Sequence, residues 1–343
     1  MKKELFVKDL KDGTGIQSSF IVTKIMRKIK KSQRTDSADE EYCQVRLQDC
    51  TGTIDGVIWP EALRNAPDFS EADCVLVKAS VSQFKGLPQL VISSLEKVPA
   101  GEVDYSCFTR SIAAEDKEKM ILEIRELVSS IKNPGLGQLL DSFFNDSDLF
   151  KEYTNSAAAV KYHHAYSGGL LEHSLAVAKN CDMVSRNYPE LNRDLLVAGA
   201  LLHDIGKIEE YRTGVIIKIT DEGGLIGHIA IGYGMVLDRI KSISGFNKTL
   251  AKNLLHIIIS HHGYKEFGSP RVPETPEAFV VYHMDHMDAD IFHEKFEAAE
   301  QDEQTEEDGA SENEITGVHM YKKRKTSEQK RSATPRQEEL SGF

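Results

Sequence analysis

At 343 residues, 40% of them hydrophobic and 28% charged, the chain is long enough for two domains and apolar enough to bury a core in each. Its five cysteines (Cys43, Cys50, Cys74, Cys107, Cys181) are odd in number and show no Cys-x-x-Cys spacing, which excludes a disulfide framework or a thiolate zinc site and suits a reducing cytoplasmic setting. No apolar run opens the chain as a signal peptide would, and none approaches the roughly 20 residues of a transmembrane helix, so no membrane partner is expected. The net charge of −12 is unevenly spread: residues 1–35 hold ten Lys or Arg against three Asp or Glu, and residues 294–343 hold thirteen acids against eight bases. A basic leading segment on an acidic body suits local contact with phosphates, and suits a solvated loop equally well.

Residues 20–26 and 42–47 are rich in β-formers, the second with clean alternation, and both read as strands. A turn at Asp49-Cys50-Thr51-Gly52 leads to a third strand over 53–59, a short helix over 60–65, and strands over 74–81 and 89–92. Five strands with a helix after the third match the order of an OB-fold, a partly open barrel that often takes oligonucleotides. The Asp-x-Thr-Gly-x-Ile turn resembles that of nucleic-acid-binding OB domains. Such modules combine basic side chains with aromatics on which bases stack. Lys24, Arg27, Lys28, Lys30 and Lys31 cluster about the first strand, and Tyr42, Trp59 and Phe84 are candidate platforms, although one aromatic in a small barrel is more often part of its core.

Pro99-Ala100-Gly101 opens a linker expected over 99–112. From residue 113 the period becomes helical, with Met120, Ile121, Ile124, Leu127, Val128 and Ile131 recurring every three or four residues. Asn133-Pro134-Gly135 breaks that helix, and further helices are predicted over 136–150, 157–164, 170–186, 194–203, 229–243, 248–262 and 276–296. Strand character is confined to 215–219. The expected architecture is multidomain α+β: a five-stranded OB barrel over 1–98, the linker, an all-helical domain over 113–296, and a charged tail over 297–343. The tail is too polar to offset its ordering entropy and is expected to be disordered.

Eleven of the twelve histidines lie between residues 163 and 293. Imidazoles and carboxylates together suit divalent Mn, Fe, Zn or Ni. A lone helical histidine is ordinarily just hydrogen-bonded. His203-Asp204, however, ends an apolar run of Leu195, Leu196, Val197, Ala198, Ala200, Leu201 and Leu202. Two ionisable groups at the buried end of a helix need a charge partner, which a divalent cation supplies. Lys207 can neutralise a bound phosphate or complement the helix dipole. His173 opens another apolar helix thirty residues earlier, a spacing that lets two antiparallel helices bring both imidazoles to one ion. Asp285, one turn beyond Val281 and Tyr282, can point from a packed face.

The order His173, His203-Asp204, Asp285, within the wording Leu-Leu-His-Asp-Ile-Gly-Lys, resembles the signature of the HD superfamily of metal-dependent phosphohydrolases over about residues 160–292. The runs from Tyr162-His163-His164 to His173, Gly227-His228-Ile229, Ser260-His261-His262-Gly263 and Phe267-Gly268-Ser269-Pro270 are similar to those of the YhaM-type 3′→5′ exoribonucleases, which also carry an OB domain before the HD domain. The resemblance implies that His173, His203, Asp204 and Asp285 hold a first divalent ion. It implies that Asp204 bridges to a second, held by His228 and His261, with His262 and His256 as competitors. His256, five residues before His261, does not share its helix face and reads as structural.

Two ions are expected, manganese first, with magnesium, iron, cobalt or nickel as alternatives. Metal-polarised water would attack phosphorus in line, with Asp204 and Lys207 in catalytic roles. His163 and His164 would touch the scissile phosphate or protonate the leaving oxygen, or else make only local hydrogen bonds. His283, His286 and His293 read as peripheral. The implied activity is hydrolysis of single-stranded RNA from its 3′ end to nucleoside 5′-monophosphates, with single-stranded DNA as a further substrate and homo-oligomerisation left open. A hydrolase of free or signalling nucleotides is a second reading, against which the fused barrel counts. A non-catalytic oligonucleotide-binding adaptor is a third, against which the intact ligand set counts.

Overall fold

The β-branched runs of the first hundred residues form five strands: β1 (Gly15–Lys30), β2 (Glu40–Asp49), β3 (Gly52–Ile58), β4 (Cys74–Phe84) and β5 (Leu87–Lys97). The structure is a computed structural model and describes residues 3–30, 40–160, 164–301, 310–312 and 319–321. β1 is longer than its β-rich centre suggests because it serves two neighbours, β4 along its first half and β2 along its second. Parallel pairing of β3 with β5 closes the barrel in the order β1-β2-β3-β5-β4. The short helix α1 (Pro60–Arg64) follows β3 in the chain, as an OB-fold requires.

Alternation places Cys43, Val45 and Leu47 of β2 inside, against Phe20, Val22, Ile54, Ile58, Val77, Leu90 and Ile92. The Asp-x-Thr-Gly turn has a structural cause. Asp49 Oδ1 accepts the Thr51 amide and hydroxyl at 2.8 and 2.6 Å, while Oδ2 accepts the Val7 amide at 2.8 Å and lies 3.2 Å from the buried Lys3 ammonium. One carboxylate thus ties the leading segment to the barrel.

The helices that follow are α2 (Ala114–Ser129), α3 (Pro134–Phe144), α4 (Ser147–Asn155), α5 (Gly169–Asn187), α6 (Arg193–Leu202), α7 (Lys207–Glu210), α8 (Asp221–Ile226), α9 (His228–Ser242), α10 (Lys248–Ser260) and α11 (Pro276–Gln301). Every residue of α6 from Leu195 to Leu202 is buried, so the helix lies in the middle of the core with Leu139, Phe143, Leu171, Val177, Leu254 and Ile258 around it. Each such leucine contributes roughly 1.5–3 kcal/mol. That anchorage is needed, because burying ions at the end of α6 costs several kcal/mol each.

Three expectations are corrected. The helix over 136–150 is two helices, because Asp146 caps α4 by accepting the Leu149 amide at 3.2 Å. Residues 157–160 are not helical: Ala157 and Ala158 give their amides to Thr213 Oγ1 and to the His164 carbonyl at 2.9 and 3.1 Å, and tertiary bonds override alanine's propensity. Of the run 215–219 only β7 (Lys218–Ile219) is strand, paired with β6 (Tyr211–Arg212), while Val215 and Ile216 pack against the cluster of Ile21, Cys74, Val98 and Phe108.

Residues 99–112 carry two 3₁₀ turns, Ala100–Glu102 and Tyr105–Cys107. Met1–Asp285 is one compact unit and His286–Phe343 another. In the latter, β8 (Ala310–Glu312) pairs antiparallel with β9 (His319–Tyr321). Apart from these strands and the end of α11, the tail expected to be disordered lies outside the described residues. Among the described residues no helix is long and apolar enough to cross a membrane.

Candidate metal centre

The histidines converge through helix ends. His203 and His261 occupy equivalent places, each capping the C-terminus of its helix, α6 and α10 respectively. Each directs Nδ1 at the carbonyl three residues back, Ala200 or Ile258, at 2.7 Å. A carbonyl only accepts, so Nδ1 carries the proton and Nε2 is left to face inward. The two rings lie 5.0 Å apart, so two carbonyl helix ends, with their partial negative charge, meet where a cation is favoured. His262 uses its Nδ1 in the same way on the Phe267 carbonyl at 2.9 Å. His173, in the first turns of α5, and His228, the first residue of α9, complete the ring of imidazoles.

Asp204 is the hub. Its Oδ2 lies 3.6 Å from His173 Nε2 and 3.4 Å from His203 Nε2, and its Oδ1 lies 3.5 Å from His228 Nε2 and 3.4 Å from His261 Nε2. One carboxylate therefore divides its oxygens between two groups that could each hold an ion: His173-His203-Asp204, and Asp204-His228-His261-His262. Asp285 joins the first, with Oδ1 3.1 Å from His173 Nε2 and 3.8 Å from His203 Nε2. In the second, His228 Nε2 and His262 Nε2 face each other at 3.3 Å.

The electrostatics fit a cation. Asp204 Oδ1 and His261 Nε2 are buried and neither makes a hydrogen bond. Burial is the largest influence on Asp204 and opposes its charge, yet the Lys207 ammonium, 2.5 Å from Oδ2, together with His203 and His261 holds the carboxyl well below the usual range. Burial likewise opposes ionisation of Asp285, and the hydrogen bond with His173 and the nearby His203 and His261 imidazoles together hold it well below the usual range. Burial lowers His261 and, with help from His261 and His228, brings His262 down to about 3, so both are neutral near pH 7. Neutral nitrogens and ionised oxygens pointed inward form the donor set of a divalent transition ion.

Gly206 makes this packing possible. A Cβ there would stand 2.1 Å from the His228 carbonyl and 2.6 Å from the Gly232 amide, so the turn after Asp204 lies directly on α9.

Lys207 and His164 lie against the centre, His164 grouping with His173 and Asp288 as a third set that could hold an ion, whereas His256 stands outside it. Lys207, expected to face a phosphate, is almost fully buried and held by Asp204. His256 is outside the cluster, its Nε2 accepting the Glu274 amide at 2.8 Å. His164 is buried behind His173, the rings 5.5 Å apart, with Nδ1 3.2 Å from the Tyr166 hydroxyl and 3.3 Å from Glu172 Oε2. The Tyr166 hydroxyl in turn donates to Glu172. His163 lies outside the described residues. His283 meets Phe279 edge to face, the ring centroids 4.3 Å apart. Glu210, which sequence reasoning passed over, places Oε2 3.0 Å from His228 Nδ1.

On the barrel, Lys24, Met26 and Lys28 of β1 lie opposite Arg46, Gln44 and Tyr42 of β2 and share an outward face. Tyr42 stacks on Trp59 with centroids 5.3 Å apart and planes 30° off parallel. Trp59 and Phe84 are 41% and 53% exposed, and none of the three aromatics belongs to the barrel core. Arg27, expected to contact the strand, is 3.6 Å from Glu41. Lys31 lies outside the described residues.

Residues 170–290 match the family model of the HD domain, and residues 27–98 match that of an OB-fold nucleic acid binding domain. The chain thus carries an OB-fold domain followed by an HD domain, a pairing that suggests a metal-dependent phosphohydrolase of nucleic acid. Among solved structures, it is similar to the second OB-fold domain of replication protein A from Methanococcus maripaludis, at 17% identity over 31% of this chain and 96% of that one, with a TM-score of 0.24. It is also similar to an OB domain from Thermoplasma acidophilum, at 19% identity over 32% of this chain and 92% of that one, with a TM-score of 0.23.

Proposed function

We propose that this chain is a divalent-metal-dependent 3′→5′ exoribonuclease that grips single-stranded RNA on its barrel and releases nucleoside 5′-monophosphates. The observation that carries the metal-dependent part is Asp204, whose two oxygens serve two histidine groups while Oδ1 and the facing His261 Nε2 have no hydrogen bond. His173, His203 and Asp285 would hold one ion and His228, His261 and His262 another, with Asp204 common to both. Manganese is the ion we expect. When bound, such ions supply a water reactive near neutral pH and offset charge on the phosphoryl oxygens.

The chain's own residues do the rest. The carbonyls of Ala200, Ile258 and Phe267 fix which ring nitrogen is bare on three histidines. Lys207, with the facing imidazoles, keeps the Asp204 carboxylate ionised although it is out of water, and its ammonium orients Oδ2. Lys24, Lys28 and the Tyr42–Trp59 stack present charge and ring faces to a strand. The 3′→5′ direction and the preference for RNA draw support from the likeness of the His163-His164, His228 and His261-His262 runs to that enzyme group.

The test is to incubate the full chain and Mn²⁺ with 5′-labelled single-stranded RNA, with free nucleotides in parallel. A ladder shortening from the 3′ end, abolished by chelation and by Asp204→Ala, is expected. Turnover of nucleotides alone, or strand binding without turnover in every divalent ion tried, would overturn the proposal.

A further inference from the structure

We propose that Glu210 is a positioning residue that sets the imidazole of His228, and so tunes the His228-His261-His262 half of the centre without acting on the His173-His203 half. The inference rests on the metal-dependent reading above.

Glu210 ends α7 and is nine-tenths buried. Its carboxylate meets His228 twice: Oε1 accepts the His228 backbone amide at 3.2 Å, and Oε2 lies 3.0 Å from Nδ1. The main chain is held by a hydrogen bond, while Oε2, buried and without a hydrogen bond of its own, sits beside the ring as its ion-pair partner and disfavours turning it away. With Nδ1 turned toward this carboxylate, Nε2 is directed at Asp204 Oδ1, 3.5 Å away.

Glu210 is itself fixed. Its carbonyl accepts the Thr220 amide at 2.9 Å, and a Cβ on Gly223 would stand 2.4 Å from that carbonyl, so the start of α8 rests against it. His203, His261 and His262 give Nδ1–H to neutral main-chain carbonyls, whereas His228 faces a carboxylate. A carboxylate behind an imidazole makes the far nitrogen a stronger donor to a metal, and removing such partners typically costs affinity about 10- to 100-fold. Glu210 also sits at the N-terminus of α9, where a carboxylate accepting the first amide would stabilise the helix alone. The two roles differ in what they predict for metal.

The experiment uses the full chain stripped with chelator and titrated with Mn²⁺, free ion being read by electron paramagnetic resonance. Wild-type protein is expected to show two classes of site. Glu210→Gln, nearly isosteric, is expected to weaken one class about 10-fold or more and to leave the other within about 2-fold. In a His228→Ala background the same change is expected to have no further effect on Mn²⁺ binding. Glu210→Asp, which retracts the charge by one methylene, is the second variant and should fall between wild type and Gln.

Unchanged affinities in Glu210→Gln, equal weakening of both classes, or a full effect persisting without the His228 ring would overturn the inference. A loss of thermal stability with both Mn²⁺ affinities intact would assign Glu210 to helix capping and overturn it too. Wild-type protein that takes up no Mn²⁺ would overturn the metal-dependent reading itself, and this inference with it.

Discussion

Asp204 Oδ1 and His261 Nε2 face each other across 3.4 Å, both buried and neither hydrogen-bonded. Each unsatisfied polar atom costs about 1–3 kcal/mol. A cation shared between them would relieve both. Saturating Mn²⁺ should therefore stabilise chelator-stripped protein by roughly 2–3 kcal/mol, which shifts the melting midpoint by about 5 °C or more. Differential scanning calorimetry across several divalent ions checks this, and a midpoint indifferent to all of them would remove the main support for a metal centre.

Lys207 is buried with its ammonium on Asp204, so removing either partner strands a charge. Asp204→Asn should destabilise metal-free protein by about 3–5 kcal/mol. Adding Lys207→Met should recover much of that loss. Hydrolysis should fall at least about 100-fold in both variants, because even groups one bond removed from a ligand cost 10- to 100-fold. Urea denaturation of the two variants separates folding from chemistry. A double variant no more stable than Asp204→Asn would mean the pair is not the source of the cost.

How far the residues alone disclose this arrangement depends on the range of the interactions. The apolar run from Leu195 to Leu202 before His203 shows that two ionisable groups end a buried helix, because burial follows from local hydropathy. Alternation in β2 shows which side chains fill the barrel for the same reason. Glu210 is silent in sequence: Lys207-Ile208-Glu209-Glu210 reads as a charged helical turn, and only the return of the chain at His228, eighteen positions on, gives its carboxylate a task. Val215 and Ile216 look like strand because β-branching does not distinguish pairing in a ladder from packing on Ile21 and Phe108. Lys207 reads in sequence as a phosphate contact or a complement to the helix dipole; its ion pair with Asp204 appears only once the turn after α6 is folded.

Gly206 tests whether the turn after Asp204 must touch α9. A methyl group there meets backbone on both sides, the His228 carbonyl and the Gly232 amide, and neither can rotate away. Gly206→Ala should cost about 1–3 kcal/mol of stability from overpacking. It should also weaken Mn²⁺ binding, since His228 is carried by the displaced strand of backbone. Thermal melts with metal titration read both effects. An alanine variant with wild-type melting and affinity would show that the contact gives way without consequence.

The Tyr42–Trp59 stack and the outward lysines of β1 make a separable prediction. Base stacking on an aromatic is worth about 1–3 kcal/mol per base, so Trp59→Ala should weaken single-strand binding by that amount, measured by fluorescence anisotropy. Lys28→Ala should lower the slope of log affinity against log salt by roughly 0.7 if it meets one phosphate. Turnover of a small phosphodiester at the metal centre should be unchanged in both. Equal losses on the small substrate and on RNA would contradict a division of labour between barrel and bundle.

Acidification should act through the imidazoles before the carboxylates. In the folded chain burial lowers His261 and brings His262 to about 3, whereas an exposed imidazole titrates near ~6.5. Between those values the unfolded chain binds more protons than the folded one, so stability rises with pH across the window. The contribution is complete above about pH 6.5 and is lost as pH falls toward the folded values. Asp204 and Asp285, also held low, add to the loss only below about pH 4, where unfolded carboxylates begin to protonate. Urea denaturation of chelator-stripped protein between pH 5 and 7 should therefore show stability falling on the acid side, with a shallower slope in His262→Asn. Bound Mn²⁺ should be released over the same range, because proton and metal compete for the same lone pairs. A flat profile in the stripped wild type would mean that these rings are not held neutral by burial.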